Sequence, residues 1–407
     1  MKGRVLFSGQ SYYHAWYLSR ELRTLGWKAD VLDWDPWESN QNFYHGSDIR
    51  LDHSGRWPLA RHALFYLKAL KDYDIFHFSN AHGMKISWLL HEAVARRLAP
   101  YSEIALLKKL GKVVVYSNNG CMDGVSRTAF SKWGPHNTCE LCGWGPDVCN
   151  DAANLAWGRR RNELADYQII FGSNRADYND DLRCHEVPEF YCLDHEQWKP
   201  DMVIPSEFKL DVPEGTVKIF HAMGNYKRRT DAKTGKNIRC THIYVDVIER
   251  LKREGLNVEL VLVHGVSSTD MRYYQAQADI VVDMLTYGFF GASIRESLML
   301  GKPSVCFLRP EWLEDMARER PDYVSELPVV SATPETIYDV LKDLVLNAGK
   351  RREIGRASRE FAVRYHSARA AAVRFDSIYS GLLAARGVGA CCPSIRGVIG
   401  NRAKNTG

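Results

Sequence analysis

The sequence has no uninterrupted run of about 18 apolar residues, so no segment is predicted to span a membrane. The excess of one sign of charge is also small, because 54 Lys and Arg residues and 49 Asp and Glu residues leave a net charge of +5. So small an excess excludes a protein whose main partner is nucleic acid, but it suits anionic nucleotides or an anionic membrane surface. The first apolar run, residues 5–7, is too short for a signal peptide. We therefore expect a cytoplasmic protein, with peripheral contact at the inner face of the membrane as one setting.

The sequence also lacks internal repeats and low-complexity segments. Its ten cysteines, in a protein expected in the cytoplasm, indicate reduced thiols or a metal rather than a disulfide framework. Four of them, Cys121, Cys139, Cys142 and Cys149, include one C-x-x-C pair and lie in a segment rich in Gly, Pro, Asn and Trp. Four thiolates can hold a structural Zn²⁺, with an iron–sulfur cluster as a less favoured alternative. Clustered free thiols are the third interpretation.

At 407 residues, the chain is long enough for two domains of roughly 150–200 residues each. Apolar runs recur in the first half and again in the second, with helical patterns between them, which predicts an α/β fold with doubly wound parallel sheets. The predicted strands cover residues 4–9, 29–32, 74–78, 112–116, 168–173, 217–221 and 258–263. The predicted parts are a first domain (1–197) with a Cys-rich insertion (119–151), a linker around 198–205, a second domain (205–363), a final helix (364–386) and a flexible tail (387–407).

The most informative segment covers residues 278–305. A short buried strand at 280–282 leads into a glycine-rich loop, and a helix is predicted from Ser293 to Leu300, with Gly301 ending it. The free N–H groups at the start of such a helix suit a phosphate. Glu296 lies near this end and admits two interpretations: a ligand-binding carboxylate, or a capping box with Ser293.

This segment resembles the nucleotide-sugar site of GT-B glycosyltransferases, especially the retaining group that includes family 4. Gly288, Gly291, Glu296, Gly301 and Pro303 match its motif, although many members carry a glutamate where this chain has Gly288. The resemblance implies two Rossmann-like doubly wound domains that face a central cleft, with the C-terminal helix crossing back. It implies that Glu296 holds the ribose hydroxyls of a nucleotide-diphosphate sugar. The donor contacts that it implies here are Gly288, Gly291, Ala292, Ser293 and Glu296.

Basic residues precede another predicted helix. Arg228 and Arg229 follow the strand at 217–221, and Arg239-Cys240-Thr241 takes the place of the family's lysine–glycine–threonine unit. The resemblance implies that Arg228, Arg229, Arg239 and Thr241 bind the donor phosphates, since arginine can present two donors to one phosphate. Two cations can neutralise the leaving diphosphate, so no cofactor is required for the chemistry.

The acceptor side is predicted at the carboxyl ends of the first-domain strands. His14 follows the first strand, and Asp123 lies in the loop after the strand at 112–116. Either side chain could orient or activate an acceptor hydroxyl. The candidate catalytic residues are therefore Glu296, Arg239, His14 and Asp123.

The resemblance implies transfer of a sugar from a nucleotide-diphosphate donor to a saccharide or lipid-linked acceptor, with retention of configuration. The expected setting is assembly of a bacterial surface polysaccharide, such as lipopolysaccharide, O-antigen, capsule or exopolysaccharide. Two alternatives stay open. One is a nucleotide-sugar 2-epimerase with a related fold, and the other is a non-catalytic scaffold that keeps the fold.

Overall fold

Two parallel β-sheets organise the chain. The computed structural model describes residues 1–9, 12–35, 38–51, 53–54, 57–79, 83–84, 86, 101–118, 120–121, 123–145, 149–170, 175–224 and 226–387, without the side chains of residues 38, 39 and 228. The predicted tail, 387–407, therefore lies outside the described residues apart from Gly387. None of the described helices combines the length and the apolar character needed to cross a bilayer.

The first sheet has seven strands in the order β3-β2-β1-β4-β5-β6-β7, and every neighbouring pair is parallel. These are β1 (Arg4–Ser8), β2 (Lys28–Asp33), β3 (Ile49–Arg50), β4 (Ile75–Phe78), β5 (Val113–Ser117), β6 (Tyr167–Ile170) and β7 (Cys184–Glu186). Strands β4 and β5 are buried along their whole length, as expected for a parallel sheet covered on both faces. The order reverses between β1 and β4, where such sheets bind ligands beyond the carboxyl ends of the strands.

Six described helices accompany this sheet: α1 (His14–Thr24), α2 (Glu38–Gln41), α3 (Pro58–Asp72), α4 (Ser102–Lys109), α5 (Arg127–Ser131) and α6 (Asp151–Leu164). The sequence predicted five strands here, and the structure adds β3 and β7. Both are too short for a periodic apolar signal, and β7 contains only Cys, His and Glu.

The second sheet has five parallel strands in the order β12-β11-β10-β8-β9. They are β8 (Val217–Ala222), β9 (Val258–Val263), β10 (Ile280–Val282), β11 (Ser304–Cys306) and β12 (Val330–Ser331). In chain order this is the 2-1-3-4-5 arrangement, the other common doubly wound topology, and its reversal falls between β8 and β10. A ligand is therefore expected beyond the carboxyl ends of these two strands.

Nine described helices belong to the second half of the chain: α7 (Tyr226–Arg229), α8 (Thr241–Arg253), α9 (Ser268–Ala276), α10 (Ala292–Met299), α11 (Pro310–Glu319), α12 (Pro321–Glu326), α13 (Ile337–Leu346), α14 (Ala348–His366) and α15 (Ala368–Ala385). Helix α8 shows why the sequence was informative. It buries one face at helical spacing (Thr241, Tyr244, Val247, Ile248, Leu251), and it begins at Thr241, directly after the basic residues that the sequence placed before a helix.

The C-terminal helix packs back onto the first domain, as predicted, but it is shorter than the interval 364–386. Residues up to His366 belong to α14, and Ser367 caps α15 by accepting a hydrogen bond from Ala370 N at 3.1 Å. Asp376 of α15 accepts the indole N–H of Trp27 at 2.7 Å. One continuous hydrophobic cluster includes buried residues of both sheets and of α14 and α15.

The predicted linker is anchored at its first residue. Trp198 is fully buried and stacks on His45, with ring centroids 5.4 Å apart. His45 in turn meets Ser268 of α9 at 2.7 Å from Nε2 to Oγ. The segment therefore carries part of the contact between the two halves, which a break in sequence pattern does not reveal.

Candidate active site

A glycine-rich loop joins β10 to α10. Gly288 has a φ of +97°, in the left-handed region that favours glycine. The helix begins at Ala292, with Gly291 as its N-cap and no side-chain cap hydrogen bond. The capping-box interpretation is therefore wrong, because Glu296 is the fifth helical residue rather than the third, and Ser293 is not the cap. The start predicted at Ser293 is corrected by one residue.

Glu296 joins the two halves of the chain. Its Oε1 accepts a hydrogen bond from the hydroxyl of Tyr13 at 2.5 Å, and its Oε2 accepts one from Gln275 Nε2 at 3.0 Å. The side chain is buried, and burial raises its pKa although the two donors act in the opposite direction. Each carboxylate oxygen has two acceptor positions. Both oxygens can therefore accept a ligand hydroxyl without giving up Tyr13 or Gln275.

Two guanidinium groups lie close together near the carboxyl ends of β8 and β10. Arg239 forms an ion pair with Asp283, which is buried directly after β10. Arg229 has a buried Nε with no hydrogen-bond partner among the described residues. Its pKa is lowered by burial and then by the charge of Arg239. Two cations with one paired carboxylate leave positive charge at the point where this topology binds ligands. The side chain of Arg228, also predicted here, lies outside the described residues.

The Arg239-Cys240-Thr241 unit begins helix α8, as the resemblance implied. Cys240 is the N-cap with a φ of +60°, a conformation more typical of glycine. The hydroxyl of Thr241 contacts His221 Nε2 at 2.9 Å and Asn237 Oδ1 at 3.2 Å. The threonine therefore positions the start of the helix within the domain, a role that sequence reasoning did not assign. Its contact with phosphate stays a prediction.

His14 is a neutral, buried histidine at the first position of α1. Its Nδ1 lies 3.3 Å from the carbonyl oxygen of Cys192, so Nδ1 carries the proton and Nε2 carries the lone pair. Nε2 has no partner among the described residues. Burial, followed by the charge of Arg295, lowers the pKa of His14 well below its ordinary value. The side chain can accept a hydrogen bond, but it is not an acid at neutral pH.

Asp123 is held in place by hydrogen bonds from two neighbouring side chains. Its Oδ1 accepts hydrogen bonds from the hydroxyl of Tyr116 at 2.6 Å and from Trp157 Nε1 at 3.2 Å. These contacts tie the loop after β5 to the end of that strand and to α6. They account for an acidic residue at this position, and its predicted part in catalysis stays a prediction.

The four cysteines of the insertion gather around the glycine-rich loop. Cys121, Cys139 and Cys142 pack against a hydrophobic cluster that contains Tyr287. Burial, followed by the neighbouring thiols Cys149 and Cys142, raises the pKa of Cys121 to about 12. Within the part of the chain that the structure describes, however, no group of three or more Cys, His, Asp or Glu side chains has the arrangement of a metal site. The thiols are neighbours without the geometry of a metal site, so the zinc and iron–sulfur interpretations have no structural support among the described residues.

Sequence reasoning missed several residues of the site. Asp283 follows directly after the strand at 280–282, so its position at a strand end was a usable signal. Tyr13 directly precedes the candidate His14 in the sequence, but its bond to Glu296 depends on how the two domains meet. Gln275 carried no local signal, because it reaches Glu296 only through the packing of α9 against α10.

Solved structures share this fold across nearly the whole chain. A sucrose-phosphate synthase from Thermosynechococcus elongatus aligns with a TM-score of 0.58 at 14% identity, over 94% of this chain and 100% of that chain. HepE from Anabaena aligns at 13% identity over 93% of this chain and 100% of that chain, with TM-scores of 0.54 in its complex with UDP-glucose and 0.55 in its complex with UDP and glucose. No protein-family model matches the sequence, and no curated protein does. The chain has the GT-B fold, as its glycine-rich segment predicted.

Proposed function

We propose that this protein is a glycosyltransferase that uses a nucleotide-diphosphate sugar. The observation that carries the proposal is the pair of cations Arg229 and Arg239 beyond β8 and β10, of which only Arg239 has a salt bridge to a carboxylate, Asp283, among the described residues. A diphosphate supplies the missing negative charge. The likeness in fold to HepE, which was solved with UDP-glucose, supports the same assignment.

Glu296 completes the donor site in this proposal. A buried carboxylate with two fixed donors is a rigid acceptor, and ribose presents two hydroxyl donors. Glu296 holds the ribose, and the arginines stabilise the charge that develops on the leaving diphosphate. The backbone of Gly291, Ala292 and Ser293 at the start of α10 lies next to this carboxylate in the chain.

In this proposal the acceptor hydroxyl has one group that takes its proton and another that orients it. The leaving diphosphate can take the proton directly, and the lone pair of His14 Nε2 can orient a sugar hydroxyl by accepting its hydrogen bond. Front-face departure and attack would retain the anomeric configuration. We propose a saccharide or lipid-linked acceptor, with surface-polysaccharide assembly at the cytoplasmic side of a bacterial membrane as the setting.

No metal takes part in this chemistry, because two guanidinium groups neutralise the diphosphate. A structural zinc on Cys121, Cys139, Cys142 and Cys149 is a separate proposal. The described thiols do not have its geometry, so metal analysis of the purified protein decides it.

A thermal-shift screen against UDP, GDP, ADP, CMP and dTDP tests the donor proposal. A nucleotide that binds the folded state raises the melting temperature, and the response identifies the base. The shift should disappear in Glu296→Gln and Arg239→Ala. It should persist in Arg160→Ala, which removes only the surface ion pair with Glu163. No shift with any nucleotide would instead favour the scaffold alternative.

A further inference from the structure

Arg309 is a buried cation whose ion-pair partner, Glu311, is distant and largely exposed to solvent. It follows β11, its side chain is 6% exposed, and burial lowers the pKa of its guanidinium to about 10. Nε and Nη2 are shielded from solvent and have no hydrogen-bond partner among the described residues. The nearest carboxylates do not neutralise it. Glu311 lies 3.9 Å from Nε and is 66% exposed, and Asp315 pairs with Arg318 at 2.7 Å.

The surroundings of Arg309 are those of a binding site rather than of a surface charge. Its Cζ lies 4.2 Å from the ring centroid of Trp133, which belongs to the Cys-rich insertion of the first domain. Stacking on an aromatic ring leaves the in-plane N–H donors of a guanidinium free for another partner. The indole N–H of Trp133 is also buried and unpartnered among the described residues. Three unused donors therefore lie on two stacked side chains.

The same arginine runs along the glycine-rich loop. Arg309 N donates to the carbonyl oxygen of Gly288 at 2.8 Å, and a Cβ on Gly288 would stand 3.0 Å from Arg309 Cβ and 3.7 Å from Nε. The aliphatic part of the Arg309 side chain thus fills the space that a side chain at position 288 would need. The cation belongs to the loop that leads to Glu296, but it is separate from the Arg229–Arg239 pair assigned to the diphosphate.

We propose that Arg309, stacked on Trp133, is a specificity residue that binds the carboxylate of a uronic acid. The planar guanidinium can pair with both oxygens of a carboxylate, and a desolvated pair of this kind discriminates strongly against a neutral sugar. This inference rests on the proposed function, because it identifies the sugar class at the same site. The uronic acid is either the transferred sugar or the acceptor residue beside it.

The test compares charged and neutral sugars that differ only in the carboxylate. By calorimetry, UDP-glucuronate is titrated against UDP-glucose if uracil is the base found in the screen, or GDP-mannuronate against GDP-mannose if it is guanine. A second arm titrates methyl glucuronide against methyl glucoside with the nucleotide present. Wild type, Arg309→Gln, Trp133→Phe and the control Arg318→Gln, an exposed arginine of α11, are compared after their melting temperatures confirm folding.

We expect wild type to bind the uronate at least tenfold more tightly than the neutral sugar. Arg309→Gln should remove this preference, Trp133→Phe should reduce it, and Arg318→Gln should keep it. A preference in the first arm identifies the donor as the uronic acid, and a preference in the second arm identifies the acceptor. Nucleotide binding with no preference in either arm, or a preference that survives Arg309→Gln, overturns the inference alone. Failure of every nucleotide to bind overturns the proposed function and the inference with it.

Discussion

The hydroxyl of Tyr13, the N-cap of α1 in one domain, donates a 2.5 Å hydrogen bond to Glu296 of α10 in the other domain. Because the pair is buried, its loss should affect both stability and ligand binding. A surface pair of equal length, Tyr338 to Glu254 at 2.5 Å, provides a matched comparison.

Tyr13→Phe should lower the free energy of unfolding by about 1.5–3 kcal/mol, since it removes a hydrogen bond to a buried charged group. It should also weaken nucleotide binding, because Glu296 keeps only Gln275 as a fixed donor. Urea unfolding and calorimetry measure the two effects. Tyr338→Phe, whose partner is exposed, should change neither appreciably. Equal behaviour of the two variants would contradict a special role for the Tyr13 contact.

Variants of the Arg239–Asp283 ion pair should show different effects on stability and on nucleotide binding. Arg239→Ala leaves Asp283, whose side chain is 1% exposed, as an unpaired buried charge and should cost about 3–5 kcal/mol of stability. The double variant Arg239→Met/Asp283→Asn removes both charges and should recover most of that loss. Neither variant should bind the nucleotide, because both lack the guanidinium. Recovery of binding in the double variant would show that Arg239 does not contact the phosphates.

The two glycines of the glycine-rich loop between β10 and α10 should respond differently to alanine. Gly288→Ala should destabilise the protein by about 1–3 kcal/mol, because its φ is +97° and the new Cβ would lie 3.0 Å from Arg309. Gly291→Ala is the control, since its φ is −93° and nothing lies within 4 Å of the new Cβ. We expect a change within about 1 kcal/mol there. Denaturant unfolding of both variants checks the difference, and equal costs would refute the steric argument.

Buried histidines should make the protein sensitive to acid. Burial lowers the pKa of His77 and His366 to about 3, and that of His221 to about 4. Because these values lie below the ordinary value of about 6.5, the unfolded state binds protons first as the pH falls. Stability is therefore complete above about pH 6.5 and decreases below it, by about 1.4 kcal/mol per pH unit for each histidine.

Urea unfolding between about pH 7.5 and pH 4.5 measures this slope. His77→Phe should make it shallower, since one contributing histidine is removed and the new ring stays among the aromatic side chains of Phe190 and Phe375. An unchanged slope in this variant would mean that His77 is already protonated in the folded state.

Metal analysis decides between the interpretations of the cysteine cluster. The zinc prediction expects about one zinc per chain, loss of metal in Cys139→Ser/Cys142→Ser, and a lower melting temperature after chelation. If the thiols are arranged as described, we expect no bound metal. We also expect a thiol reagent to modify Cys121 slowly at neutral pH, because burial keeps that thiol protonated. Elemental analysis and thiol titration with and without chelator distinguish the two.

Local sequence signals determined much of this protein. Apolar runs bounded by glycine predicted the central strands, and helical spacing placed α8 to within one residue of its end. The glycine-rich turn before α10 indicated the GT-B fold. These features can be predicted because a buried strand or an amphipathic helix requires a recognisable pattern of apolar residues within its own segment.

Tertiary structure alone decided the contacts that complete the site. The sequence left Glu296 as a cap or as a ligand carboxylate, and its bond to Tyr13, some 280 residues earlier in the chain, carried no local signal. Arg309 has no motif around it, and its burial under Trp133 is visible only in the folded chain. Such relationships depend on how the two sheets and the C-terminal helices pack. No periodicity within one segment can encode a partner that the fold brings from another domain.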